Sequence, residues 1–141
     1  MDKLDLTSLE KASQSLSEAI NSVSDTDFMS SLSEQQTRLV KSGVIQNFEF
    51  TYEASWKMLK RQLVIQEGGS EIEVLSRKEL YRLGAQKGLI DDPVKWFEYH
   101  RARNETSHTY DLKKSDFVFK ITFEFLVSVM FLLNALKERN D

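Results

Sequence analysis

The sequence predicts an all-α domain with about five helices packed as a bundle. The 141-residue chain contains one proline and five glycines, so few residues oppose long helices. Hydrophobic residues recur at intervals of three and four through several segments, which is typical of amphipathic helices. Three segments also have capping-box spacing, in which a Ser or Thr precedes a Glu or Gln by three residues at a helix start.

The first two predicted helices each begin at one of these boxes. Thr7–Glu10 begins a helix over about 7–23, and Ser33–Gln36 begins a proline-free helix that extends to about Gln66. Ser24–Asp27 predicts the turn between them. The apolar face of the second helix is broad, which favours its burial between several other helices.

A polar line on this second helix has two interpretations. Glu49, Glu53 and Lys57 lie four residues apart, where Glu53 and Lys57 attract and the two glutamates repel if both are ionised. A solvent-exposed ridge is the simpler interpretation. The repulsion makes a polar contact site the alternative.

Three further helices follow in the second half of the chain. The Gly68–Ser70 segment predicts a turn, and the third capping box, Ser76–Glu79, begins a short helix that Gly88 would end. Asp92–Pro93 pairs a cap residue with proline at the first helical position, a strong start signal for the fourth helix. Ser115 or Asp116 would cap the last helix.

The last helix is apolar on nearly every side, so it must be central in the bundle or hide part of its surface against another chain. A membrane-spanning role is disfavoured because Lys120, Glu124 and Asn134 interrupt the apolar stretch.

The overall composition restricts the class of protein. The length fits a single domain, residues 1–141. The chain has no cysteine, which excludes disulfides and thiolate metal sites, and its formal charge of -3 argues against broad nonspecific attraction to nucleic acid. The N-terminus has acidic residues and no apolar stretch of signal-peptide length, so we expect a cytoplasmic protein.

The segment Arg101–Asp111, at the end of the fourth predicted helix, carries most of the chemistry that this sequence offers. It contains Arg103, His108 and Tyr110, a permanently charged guanidinium, an imidazole that titrates near neutrality and a phenol. On a continuous helix, five residues would separate Arg103 and His108 by about 140°. Either the helix ends before His108 and the backbone turns the imidazole back, or the arginine of one chain meets the histidine of another across a two-fold axis.

These groups suit the cleavage of RNA without a metal ion. His108 could take the proton of a ribose 2′-hydroxyl or give one to the leaving oxygen, while Arg103 stabilises the negative charge that develops on the phosphate. Asn104 and Ser107 could orient the imidazole or the phosphate, and Tyr110 could hydrogen-bond or stack on a base.

A purely structural interpretation of the same segment is also open, since Arg103 complements the dipole at a helix C-terminus and His108 with Tyr110 could pack the following turn. A metal site is disfavoured, because His100 and His108 would lie about 12 Å apart along a helix. The paired acids of Ser24–Asp27 are better explained by helix capping, and Gly68–Ser70 lacks the lysine of a phosphate-binding loop.

Two stretches together, Gly43–Lys57 and Arg103–Tyr110, resemble the nucleotidyltransferase substrate-binding protein family, a branch of the HEPN superfamily related to HepT toxins. The likeness extends over about residues 5–138, and Gly88–Ile90 followed by Trp96 also matches it. It implies an up-and-down four-helix bundle with an extra short helix. It also implies a homodimer and a separately encoded small nucleotidyltransferase as partner.

The resemblance also implies roles for individual residues. In the HepT branch, the spacing of Arg103, His108 and Tyr110 marks a metal-independent ribonuclease of a toxin-antitoxin system, whose partner can add AMP to the tyrosine, here Tyr110. Magnesium and nucleotide would then belong to the partner, with no cofactor or metal in this chain. In the substrate-binding branch, Arg103, Asn104 and His108 would bind a phosphate or an acceptor and cleave nothing.

Overall fold

The computed structural model describes residues 3–141, which form helices and no strand. Five helices have ten or more residues, and they match the five predicted segments. The α-helices are α1 Thr7–Ser24, α2 Thr26–Ser30, α3 Glu34–Glu67, α4 Gly69–Ile72, α5 Arg77–Gln86, α6 Pro93–Glu105 and α7 Leu112–Arg139, with a 3₁₀ helix at Thr106–His108.

The short elements differ from the prediction. Within residues 3–141 there are seven α-helices and not five, because the predicted turns at Ser24–Asp27 and Gly68–Ser70 each contain the start of a further short helix. Asp25 caps α2 by accepting a hydrogen bond from the amide of Phe28. Gly68 ends α3 with φ of 101°, a conformation that strongly favours glycine, and α4 begins at the next residue.

Three of the predicted helix starts are confirmed. Both halves of the capping box form at Ser33 with Gln36 and at Ser76 with Glu79. Asp92 caps α6 ahead of Pro93. Such helix starts can be predicted from local sequence, because the side chains that accept hydrogen bonds from the first free amides lie within one turn of them.

Two predicted caps are wrong. Thr7 is the first residue of α1, and its amide donates to Asp5 Oδ1 at 3.0 Å in place of the predicted box. The last helix begins at Leu112, where Asp111 accepts from the amide of Lys113 at 2.9 Å, so Ser115 and Asp116 lie inside it. In α1 the N-cap position is Leu6, which has no capping side chain, whereas in α7 an acidic residue earlier than the predicted ones takes the cap.

The long helices alternate in direction. Helix α1 is antiparallel to α3, because Thr51 Oγ1 donates to the carbonyl of Ala12 while Asn47, one turn earlier, bonds Ser15. Helix α7 packs against α1, α3 and α6. It is parallel to α3, because Lys41 lies over the ring of Phe119 while Asn140, at the far end, bonds Gln62. It is antiparallel to α6, because Arg101 stacks on Phe117 while Ser128 bonds Asp91. Phe125 contacts Phe48 edge-on at 5.0 Å between ring centroids. Taken in chain order, α1, α3, α6 and α7 form an up-and-down four-helix bundle, with α5 packed beside α6.

An aromatic cluster fills the centre of this bundle. Its members are fully buried and meet in edge-to-face or tilted pairs: Phe48, Tyr52, Tyr81, Trp96, Tyr99 and Phe125. Such pairs add stability beyond the burial of apolar area, and they fix how α3, α5, α6 and α7 meet.

Helix α7 is central but not fully covered. Val118, Phe125, Val129 and Leu132 face the core, whereas a second line at Phe123, Val127, Met130 and Phe131 reaches solvent. Val127 is 69% exposed. Among the described residues, no helix is long and apolar enough to cross a membrane.

Candidate functional site

The helix that carries Arg103 ends before His108. Helix α6 stops at Glu105, and Thr106 closes it by donating from Oγ1 to the carbonyl of Arg103 at 2.7 Å. The chain then makes one 3₁₀ turn through His108 before Asp111 caps α7. Helix α6 therefore ends before His108, which is the first half of one of the two predicted arrangements.

Arg103 is held by two carboxylates of α3. Its Nε donates to Glu53 Oε1 at 3.1 Å, and Nη1 lies 3.7 Å from Glu49 Oε2. Thr106 bridges this group, since it accepts from Nη1 at 3.1 Å and lies 2.6 Å from Glu49 Oε2. The interpretation of Glu49 and Glu53 as a solvent-exposed ridge is therefore wrong, and the polar contact site is correct for both.

The same geometry leaves part of the guanidinium available. The Arg103 side chain is 33% exposed, and in residues 3–141 its Nη2 has no hydrogen-bond partner. An arginine has five N–H donors in a fixed plane, so two remain for an anion from outside this chain. Arg103 is thus oriented by α3 and still able to bind a phosphate oxygen.

The other predicted site residues lie on the surface around this turn. Asn104 and Ser107 are exposed, and Tyr110 is 83% exposed. The partly exposed His108 ring meets Tyr110 edge-on, with 6.0 Å between ring centroids. Within the described part of the chain, no hydrogen bond joins His108 to Arg103.

A basic hollow adjoins the turn. Its lining residues are Arg101, Glu105, Lys113, Lys114 and Phe117, and its volume is about 300 Å³. Arg101 stacks on Phe117 with its guanidinium carbon 4.5 Å from the ring centroid, and Lys114 pairs with Glu105 at 3.4 Å. Arg101 also pairs with Glu98 at 3.0 Å, so Lys113 is the cation of this hollow that has no ion pair within residues 3–141, and it makes this side of the turn attractive to a phosphate chain.

A second polar cluster lies beside Arg103 on the buried side. Arg77 Nη1 donates to Tyr52 Oη at 2.9 Å, and it lies 3.3 Å from His100 Nδ1. Tyr52 also contacts the hydroxyl of Tyr81 and lies 3.1 Å from His100 Nδ1. Since the arginine can only donate, His100 Nδ1 serves as an acceptor.

The environment of this cluster favours neutral side chains. Burial, together with the nearby Arg77 and Arg103 charges, lowers the pKa of His100 below its usual value. Burial raises the pKa of Tyr52 and of Tyr81. A neutral His100 that accepts from Arg77 is therefore the form the site holds near pH 7.

The two histidines are placed in different surroundings. His100 turns towards Tyr52 and Arg77, while His108 lies beyond the end of α6. In residues 3–141, no group of three or more His, Asp or Glu side chains has the arrangement of a metal site.

Comparison with known proteins identifies the family. The model of the family described as nucleotidyltransferase substrate binding protein like matches residues 4–138. The chain belongs to this family.

Similar proteins of this family come from Haemophilus influenzae. The chain is 38% identical over 145 residues to the protein named "Probable ribonuclease HepT" from strain ATCC 51907 / DSM 11121 / KW20 / Rd, covering 99% of this chain and 97% of the relative. It is also similar, at 36% identity and a TM-score of 0.90, to an H. influenzae structure described as the fold of a substrate-binding domain of a nucleotidyltransferase. That match covers 94% of this chain and 99% of the other.

The sequence did not predict that Tyr52, Arg77 and His100 form one hydrogen-bonded cluster. The three residues are separated by more than twenty positions each, and three different helices carry them. A partial signal existed, since Tyr52 falls on the apolar face of α3, where its hydroxyl requires a buried partner. The sequence did not indicate which residue supplies it.

Proposed function

We propose that this chain is the HEPN subunit of a two-component nucleotidyltransferase system and cleaves RNA without a metal ion at a cleft between two copies of the chain. The catalytic groups are Arg103 and His108. Asn104, Ser107 and Tyr110 contact the substrate.

One observation carries the proposal. Arg103 is oriented by α3 with Nη2 available to an anion, at the edge of a turn that presents His108 and Tyr110 to solvent. The basic hollow beside the turn supplies attraction for a phosphate chain. The family membership and the name of the H. influenzae relative add support from a different direction.

The reaction is an internal phosphoryl transfer. The ribose 2′-oxygen attacks phosphorus, the bond from phosphorus to the 5′-oxygen breaks, and a 2′,3′-cyclic phosphate forms. The 2′-hydroxyl loses its proton to a base and the 5′-oxygen gains one from an acid, which are the two tasks open to His108. Arg103 stabilises the negative charge on the nonbridging oxygens.

A second copy of the chain would complete the cleft, because no hydrogen bond links Arg103 to His108 within residues 3–141 of one copy. The exposed apolar line of α7, defined here as Phe123, Val127, Met130 and Phe131, offers a surface for that copy. Leaving such a line in water is unfavourable, and a two-fold contact would cover it on both chains.

The partner would be a separately encoded small nucleotidyltransferase that uses magnesium and a nucleotide. The exposure of Tyr110 supports its role as the residue that receives AMP, because Tyr52, Tyr81 and Tyr99 are fully buried. The chain itself would need no cofactor.

The test is incubation of the purified chain with single-stranded RNA in EDTA, beside His108→Ala. We expect the wild type to yield 2′,3′-cyclic phosphate ends and His108→Ala to yield none, with an unchanged circular dichroism spectrum. Intact RNA with the wild type, or equal cleavage by the variant, would contradict the proposal.

One observation favours a second candidate, a noncatalytic subunit that binds a nucleotide or acceptor for the nucleotidyltransferase. The Glu49 and Glu53 carboxylates already neutralise Arg103, which suits a fixed binding contact better than transition-state stabilisation. Intact RNA together with retained binding to the nucleotidyltransferase would support this candidate.

A further inference from the structure

A cavity of about 560 Å³ opens along the C-terminal half of α3. Its volume falls within the range of about 300–1,000 Å³ that is usual for small-molecule sites. The lining residues come from α3 and from the segments beside it: Lys3, Leu4, Trp56, Lys57, Lys60, Arg61, Val64, Ile65 and Glu73.

The charge of this cavity is opposite to that of the whole chain. Four of its lining residues are cations and one is an anion, in a chain of formal charge -3. Lys60 pairs with Glu73 at 3.2 Å. Lys3, Lys57 and Arg61 form no ion pair within residues 3–141, so the cavity presents uncompensated positive charge.

Trp56 forms part of the wall and is fixed in place. Its Nε1 donates to Glu53 Oε2 at 3.1 Å, and the guanidinium carbon of Arg77 lies 3.6 Å from its ring centroid. Arg77 is not among the residues that line the cavity, whereas Trp56 and Lys57 are. Lys57 Nζ lies 6.0 Å from the same ring centroid.

We propose that this cavity binds a nucleotide, with its base against Trp56 and its phosphate on Lys57 and Arg61. An aromatic ring beside lysine and arginine side chains is the combination with which proteins hold single-stranded nucleic acid without reading its sequence. The apolar neighbours Val64 and Ile65 suit a base or ribose, and cations at one edge suit a phosphate.

The cavity is joined to the Arg103 turn through one carboxylate. Glu53 binds Trp56 with Oε2 and Arg103 with Oε1, both at 3.1 Å. A ligand on Trp56 therefore lies one side chain away from the guanidinium proposed to act on RNA. Two sources share the ligand chemistry: one nucleotide of an RNA strand, which rests on the proposed function, or a free mononucleotide.

The experiment is isothermal titration calorimetry of the full chain with four probes. They are adenosine 5′-monophosphate, adenosine, inorganic phosphate and a 2′-O-methyl hexaadenylate, which lacks the attacking hydroxyl and cannot be cleaved. A tighter Kd for adenosine 5′-monophosphate than for adenosine and for phosphate is expected, because base and phosphate each contribute. Quenching of Trp56 fluorescence gives a second readout, since Trp96 is fully buried.

Two double variants are compared. Lys57→Gln with Arg61→Gln removes two cations from the cavity, and Lys95→Gln with Lys120→Gln removes two exposed cations elsewhere as the matched control. We expect the first to weaken nucleotide binding about tenfold or more and the second to change it less than about twofold. Trp56→Leu should weaken nucleotide binding by a similar factor and leave phosphate binding unchanged.

The probes also identify the source of the nucleotide. A hexaadenylate that binds at least about tenfold tighter than the mononucleotide indicates an RNA strand, and a mononucleotide that binds as well or better indicates a free nucleotide. Equal affinities in the two double variants, or a mononucleotide that binds no tighter than phosphate, would overturn the inference.

Failure here and failure of the proposed function give different results. Nucleotide binding that needs Lys57 and Arg61, in a chain that leaves RNA intact, would end the ribonuclease proposal and keep this site. RNA cleavage that needs His108, with nucleotide binding unaffected by the Lys57 and Arg61 changes, would keep the ribonuclease proposal and end the proposal of this site.

Discussion

Glu53 of α3 accepts a hydrogen bond from Nε of Arg103 at the end of α6, at a distance of 3.1 Å. This bond fixes the guanidinium and ties the turn that follows it to the long central helix. It also places a carboxylate next to the position proposed for a phosphate, so an incoming phosphate and Glu53 would share one cation. The strength of the Arg103 contacts can be measured separately from the strength of the core.

Replacing Arg103 should cost little stability. Arg103→Ala removes a one-third-exposed ion pair, and we expect the free energy of unfolding to fall by about 1 kcal/mol or less. Phe125→Ala, at a fully buried ring, should cost about 3–5 kcal/mol. Urea denaturation of both variants checks this, and a loss for Arg103→Ala as large as that for Phe125→Ala would assign Arg103 a structural role.

The cap of α7 gives a matched pair of variants. Asp111→Ala should lower the free energy of unfolding by about 1 kcal/mol, because the amides of Lys113 and Lys114 lose their acceptor. Asp116→Ala, at an exposed position within the same helix, should change it by less than about 0.5 kcal/mol. Thermal denaturation compares the two, and the reverse order would place the helix start where the sequence analysis put it.

Stability should depend on pH through His100. Burial and the charges of Arg77 and Arg103 lower its pKa, against the opposing effect of Glu53, while the unfolded chain protonates near pH 6.5. Just below pH 6.5, the unfolded state therefore binds more protons than the folded state. The contribution of neutral His100 to the free energy of unfolding is present above about pH 6.5, and it is lost as the pH falls through the lower pKa of the folded state.

The comparison is between the wild type and His100→Gln, followed by urea denaturation from pH 8 to pH 5. The titration of all other groups affects both proteins alike, so it cancels in the difference between their free energies of unfolding. We expect the wild type to lose stability relative to the variant as the pH falls below about 6.5. Parallel curves would show that the environment of His100 does not favour the neutral form.

The exposed line of α7 should mediate association if two chains form the cleft. Val127→Asp places a charge at a position that is 69% exposed, so the fold should tolerate it while an apolar contact would not. We expect light scattering after size-exclusion chromatography to give a dimer for the wild type and a monomer for the variant. Lys95→Asp, at an exposed position of α6, serves as the control and should remain dimeric.

Modification by the partner should depend on Tyr110. With the nucleotidyltransferase, ATP and magnesium, intact-mass spectrometry should detect one added adenylyl group on the wild type and none on Tyr110→Phe. The other three tyrosines are fully buried and inaccessible in the folded chain. An adenylyl group on the variant would assign the modification to a different residue.

The local signals in the sequence were sufficient for the helices. Ser33, Ser76 and Asp92 each cap a helix at the predicted position, because a cap needs only side chains within one turn of the first amides. The start of α7 was placed too late because Asp111, Ser115 and Asp116 are all acceptable caps. Only the three-dimensional path of the chain after the 3₁₀ turn selects Asp111.

The site was predicted in part. The end of α6 before His108 was one of two alternatives that the spacing left open, and the exposed position of Tyr110 is compatible with the suggested role. The partners of Arg103 were not predicted, since Glu49 and Glu53 lie about fifty residues earlier and form a regular charged line on their own helix. The repulsion between the two glutamates indicated a polar contact as the alternative to a solvated face, but it did not indicate which residue supplies the contact.

By itself, the sequence determined where the long helices lie, which face of each is apolar and which short segment carries an arginine, a histidine and a tyrosine. These features depend on contacts within a few residues, where spacing and side-chain type are enough. The tertiary structure decided which carboxylates hold Arg103, that Tyr52, Arg77 and His100 form one cluster, and that a basic cavity opens beside Trp56. Such contacts join residues far apart in the chain, and they exist only once the buried aromatic side chains have set how the helices pack.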